Sequence, residues 1–153
     1  MLSVPSVLLS WFLAVLLSGA ATDAPRCDCD PLSTPEAFEQ AAYVFTGRVV
    51  SGEVAGLSEQ EMLIGGYGGV NYRFVVDEVF KGAVPDTVEV RGGPTGVWCM
   101  YDFSIGLRYL VFAFHLRERE ADVYYVPYAC TPTDRLDGAE DEEMLAYLRT
   151  LRQ

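Results

Sequence analysis

The chain has 153 residues, 50% of them hydrophobic, with 22 acidic against 11 basic side chains and a formal net charge of −11. That surplus of carboxylates repels a phosphate backbone and excludes electrostatic capture of nucleic acid. It otherwise speaks to solubility and not to any one partner.

The first 21 residues, MLSVPSVLLSWFLAVLLSGAA, carry no charged side chain. An apolar run from Val4 to Leu17 is followed by Ser18, Gly19, Ala20 and Ala21. No Lys or Arg marks an n-region, but the apolar run and its small-residue exit predict a secretory signal cut after Ala21. The run is short for a membrane span of about 20 residues. Residues 22–153 are then a single domain, secreted to an extracellular or periplasmic space and not stably inserted in a membrane. The four cysteines, Cys27, Cys29, Cys99 and Cys130, are an even set in an exported chain, which implies disulfides. Cys27 and Cys29 are spaced C-x-C, and His115 is the only histidine. That disfavours a zinc site and C-x-x-C redox chemistry.

In chain order, Ser33-Thr34-Pro35-Glu36 predicts the start of a short helix ending near Ala41 or Ala42. YVFTGRVVS (43–51) alternates as a strand, with Tyr43, Phe45 and Val49 on one face. Residues 52–69, punctuated by Gly-Gly and Gly-Tyr-Gly-Gly, predict a long loop or irregular hairpin tip. VNYRFVVDEVFKG (70–82) is the clearest strand, with Val70, Tyr72, Phe74 and Val76 on one side. DTVEVRGG (86–93) follows a Pro85–Asp86 turn and turns Val88 and Val90 inward. GLRYLVFAFHL (106–116) is apolar on both faces from Leu110 to Phe114, as expected of a strand covered on both sides. ADVYYVPYAC (121–130) is a further strand, with Pro127 marking an edge or bulge. A last helix begins at an Asp137/Glu140 N-cap pair and carries the apolar stripe Met144, Leu145, Leu148 and Leu151. Its four acids, 140–143, suit the positive end of the helix dipole, and Arg149 and Arg152 suit the negative end. Five strands between two helices predict a mainly β fold, a five-stranded OB-like Greek-key barrel first and a sandwich second.

Any bridge from Cys27 or Cys29 to Cys99 or Cys130 closes a long loop, worth about 4–5 kcal/mol in the chain-entropy model. Two such bridges would pin residues 26–32 across the barrel, either as a presented ridge or as a plain staple of the N-terminus.

The series CDCDP, EAFEQAAYVFTGRVV, YRFVVDEVFKG, DTVEVRG, CMYDFSIGLRYLVFA and YACTPT resembles the N-terminal domain of the tissue inhibitors of metalloproteinases. The netrin-like modules share this pattern, and the likeness covers nearly the whole mature chain in order. The resemblance implies an OB-fold barrel and the bridges Cys27–Cys99 and Cys29–Cys130, where four cysteines alone permit three connectivities. It also implies a binding ridge of Cys27, Asp28, Cys29, Asp30 and Pro31. In the inhibitors the first cysteine is the mature N-terminus. Its amine and carbonyl clamp the zinc of the protease, and the next side chain enters the adjoining pocket. By position those roles fall to Cys27 and Asp28, on a ridge that the two bridges preorganise. This sequence departs from the pattern in three ways. A cut after Ala21 leaves Thr22–Arg26 ahead of Cys27, which converts the chelating amine into an amide. Asp28 puts a carboxylate where an apolar pocket penalises it. The family's third bridge and its second, cysteine-rich domain have no counterpart.

The sequence therefore predicts a secreted protein-binding module whose sharpest form is a metalloendopeptidase inhibitor. The alternative is a non-inhibitory extracellular or envelope module with a stapled N-terminus. The partner is a protein; no cofactor and no intrinsic metal are expected. Nor is an enzyme: nothing forms a Ser-His-Asp pattern or a phosphate loop. His115 at a strand end, the pair Asp28 and Asp30, and the tyrosines 67, 101, 124, 125 and 128 all read first as surface or packing residues.

Overall fold

The computed structural model describes residues 30–55, 69–93, 100–118, 121–127 and 130–152. The expected signal segment, Cys27, Asp28, Cys29, Cys99, Tyr67 and Tyr128 lie outside them. Helix α1 (Thr34–Gln40) starts where the sequence predicts, and the Glu36 carboxylate accepts hydrogen bonds from the amide and hydroxyl of Ser33. Six strands follow: β1 (Tyr43–Val54), β2 (Val70–Lys81), β3 (Thr87–Gly92), β4 (Arg108–Glu118), β5 (Ala121–Tyr125) and the two-residue β6 (Asp134–Arg135). Helix α2 (Glu140–Leu151) ends the fold.

Neighbours run β1-β2-β3-β5-β4, and β4 pairs back onto β1 from Tyr43↔Ala113 to Arg48↔Arg108. The result is a mainly β fold, a closed five-stranded barrel with a short helix before it and a helix after it. The β3–β5 step is the one parallel pairing among the described residues, made through Arg91↔Tyr125. Closure gives β1 and β4 two buried faces. Phe45, Val49, Val111 and Ala113 point into the barrel with Phe74 and Val90. Val44, Leu110 and Phe112 point out, under Ala37 of α1 and Leu145 and Leu148 of α2. The continuous apolar run in β4 is thus a strand between two cores.

Four sequence expectations change. Residues 52–54 belong to β1, because Gly52, Glu53 and Val54 pair with Tyr72, Asn71 and Val70 of β2. The strand expected over 121–130 stops at Tyr125, where the chain leaves β4 and the Val126 amide donates to the Arg91 carbonyl of β3. β6 was not foreseen; it lies against Tyr109 and Leu110 of β4. At α2 the N-cap position is Ala139, without a side-chain cap. Asp137 is drawn to Arg135 instead, and the Asp141 carboxylate accepts from the Asp137 and Gly138 amides, both at 2.8 Å.

The C-terminal arginines serve a tertiary clasp. Arg149 grips Glu78 of β2 through two donors at 3.0 and 2.8 Å, and Arg152 reaches the same carboxylate at 3.4 Å. Hydrogen bonding from Arg149 is the main cause that holds Glu78 below the ordinary value of 4.5, against partial burial. The unfolded carboxylate protonates first as pH falls, so this stabilisation is present above that value and is lost as pH drops through the lower folded one. Glu78→Gln is therefore expected to be less stable than the parent at pH 7. The gap should close toward pH 3, as read from urea midpoints across that range.

Candidate functional site

The ridge proposed from sequence enters the described structure at Asp30. Asp30 and Pro31 are exposed, and Leu32 is half-buried against the outer core. The Leu32 amide donates to the Cys130 carbonyl at 3.2 Å. Cys130 is disulfide-bonded, with a partner outside the described residues.

The chain just beyond Cys99 converges on the same end of the barrel. Met100 forms a bridge with Pro127, and the Tyr101 amide donates to the Val126 carbonyl at 2.8 Å. The Gly93 amide in turn donates to the Tyr101 carbonyl at 3.2 Å. A Cβ on Gly92 would lie 2.3 Å from that carbonyl, so only glycine allows β3 to approach this segment so closely. Leu32 thus meets Cys130, and Met100 and Tyr101 meet Pro127 and Val126. The expected pairing Cys27–Cys99 and Cys29–Cys130 turns on Cys27, Cys29 and Cys99, which lie outside the described residues.

Aromatic rings close this end. Phe103 is buried with its ring edge-on to Tyr72, Phe74 and Tyr109 at 5.0–5.3 Å, and Tyr101 lies over it at 4.7 Å. Tyr72 donates to Asp102 at 2.7 Å, and the Tyr109 hydroxyl accepts from the Ser104 amide at 2.9 Å. Burial first, then the Asp102 bond, pushes the Tyr72 phenol up to about 12. The barrel interior is filled by side chains.

Of the other residues singled out from sequence, His115 is exposed beside the Tyr124 ring. Tyr124 stacks on Tyr43 at 4.2 Å, and Tyr125 lies near Phe114. Of the loop, Ala55 and Gly69 are described and joined by an amide–carbonyl bond of 2.8 Å; residues 56–68 lie outside. Among the described residues no group of three or more His, Cys, Asp or Glu side chains is placed to hold a metal ion. No described helix is long and apolar enough to cross a membrane.

Sequence reading missed an open cleft of about 690 Å³ between α1, the end of β2 and the end of α2. Its rim holds Lys81, the only lysine in the chain. The Lys81 ammonium donates to the Phe38 and Glu39 carbonyls at 2.7 and 2.6 Å and sits 5.6 Å from the Phe38 ring. It thereby caps α1, whose last turn has no basic residue of its own. A lone Lys at the end of a strand carries no sequence signal for that role.

No family model and no curated protein matches this chain.

Two outcomes are expected. The Leu32 amide should exchange with solvent more slowly than that of Asp30, and Leu32→Ala should cost about 1–2 kcal/mol in urea unfolding, below the range for a fully buried leucine. Tyr43 and Tyr72 should both ionise near 12 in ultraviolet titration, and Tyr72→Phe should remove one of the two. The neutral form of Tyr72 is favoured by folding, so that stability holds below the ordinary phenol value near 10 and is lost as pH rises through about 12.

Proposed function

We propose that this chain is an exported, disulfide-bonded protein-binding module that presents residues 27–31 to its partner, in the manner of the metalloproteinase inhibitors and netrin-like modules it resembles. The observation that supports this reading is the hydrogen bond from Leu32 to Cys130, with the Leu32 side chain in the outer core. It fixes the chain immediately after Cys-Asp-Cys-Asp-Pro to the barrel and leaves Asp30 and Pro31 open to solvent. A segment held in this way loses little conformational freedom on binding.

The sharpest form of the function is inhibition of a metalloprotease. Chemically that requires Cys27 to be the first residue, since a zinc ligand needs a free amine there. With Thr22–Arg26 still attached the same ridge is a docking element without chelating power. Asp28 then favours a polar or basic contact over an apolar pocket.

The test is the mass and N-terminal sequence of the exported protein, analysed without reduction. Two bridges, Cys27–Cys99 and Cys29–Cys130, are expected by peptide mapping. A start at Cys27 predicts tight inhibition of at least one zinc endopeptidase in a panel, abolished by acetylating the amine. A start at Thr22 predicts no inhibition. Free Cys27 and Cys29 in the exported protein would overturn the reading.

A further inference from the structure

Among the described residues six large hydrophobic side chains are exposed, and four of them gather around one arginine. Arg48 of β1 faces Val75 of β2 across the ladder. Val50 lies two residues further along β1, outward like Arg48, where the Val49/Ser51 irregularity of the ladder falls. The turn before β4 closes the patch, because the Val49 amide donates to the Leu107 carbonyl and the Gly106 amide to the Val49 carbonyl, at 3.0 and 2.8 Å. Gly106 has φ +89°, which lets this turn fold back onto β1. The Arg48 guanidinium then donates at 2.6 Å to the carbonyl of Gly106, the residue between Ile105 and Leu107. Val50, Val75, Ile105 and Leu107 are 43, 44, 63 and 38% exposed.

The charges of this face are unequally matched. Arg73 is paired with Glu89 and Arg108 with Asp77, each at 2.8 Å, on either side of Val75. Arg48 has no carboxylate partner among the described residues; its bond is to a neutral carbonyl. An aliphatic surface around an arginine, rimmed by paired charges, is the anatomy of a binding hot spot. A second copy of the chain is a poor occupant. A two-fold contact centred here would set Arg48 against Arg48, between molecules that each carry −11.

We propose that this outer face docks a partner segment presenting a carboxylate between aliphatic side chains, with the carboxylate on Arg48 and the aliphatic groups on Val50, Val75, Ile105 and Leu107. The surface does not rest on residues 27–31 or on the cysteine bridges.

The test records methyl and arginine side-chain NMR spectra of the exported protein during addition of a blocked peptide, acetyl-Leu-Glu-Leu-Leu-Glu-Leu-amide, and of its Gln and Lys counterparts. Saturable shifts at the four aliphatic residues and at the Arg48 Nε–H are expected with the Glu peptide. Arg48→Gln, checked for unchanged Tm, should weaken that binding about tenfold, the loss of a charge-assisted hydrogen bond. The Gln and Lys peptides should bind at least as weakly to the parent. Equal shifts with all three peptides, shifts elsewhere such as at the Lys81 cleft, or no shifts would overturn the proposal. So would concentration-dependent broadening of the patch without peptide, which would make a second copy its occupant. Contacts in the free protein between the patch and residues 56–68 would overturn it equally.

Discussion

The pairing of β1 with β4 is the constraint on which the rest of the structure depends. It turns a five-strand sheet into a closed barrel by joining Tyr43–Arg48 to Arg108–Ala113. Once closed, each of these strands has an inner face and an outer face to bury; β4 is apolar on both, and β1 turns Val44 and the buried Thr46 outward. The inner residues meet Phe74 and Val90; the outer ones need a roof, which α1 and α2 supply through Ala37, Leu145 and Leu148. Without closure, Val44, Leu110 and Phe112 would have no reason to be apolar. The two helices would have no floor, and helices of 7 and 12 residues are too short to persist in water alone.

The roof also sets the ends of the barrel. α1 begins two residues after Leu32, so docking the helix brings the chain before it to Cys130. Underneath, Phe103 and its aromatic neighbours fill the barrel mouth, and the segment 100–103 that carries them runs between Pro127, Val126 and Gly93. Residues far apart in sequence become neighbours in this way, Leu32 beside Cys130 and Tyr101 beside Val126 and Gly93.

Cations are scarce in this acidic molecule, and each described one has a position with a purpose. Lys81 closes the carbonyl end of α1, whereas Arg149 and Arg152 bind α2 to β2 through one carboxylate. Arg73 ties β2 to Glu89 of β3, and Arg108 of β4 reaches across β1 to Asp77 of β2. Arg48 differs from these in being spent on a turn carbonyl among exposed aliphatic side chains. That difference sets its surroundings apart from the rest of the outer sheet.

The elements were legible in sequence where one local signal sufficed. The Ser33–Glu36 capping pair, the alternation of Val70–Val76 and the stripe of α2 each report the period of their element, and the double-faced run of β4 reports burial on both sides. Five strands between two helices were enough to suggest a barrel. The sequence could not fix features that depend on what a residue meets across space. Gly52 to Val54 look like loop until β2 lies beside them, and Asp137 looks like a cap until Arg135 competes for it. The clustering of Val50, Val75, Ile105 and Leu107 joins three separate stretches that no periodicity connects. Composition and pattern by themselves determined an acidic, strand-rich chain with two cores' worth of apolar residues. Only the tertiary structure decided which residues share a surface, because that follows from strand register and barrel closure, and both are long-range pairings.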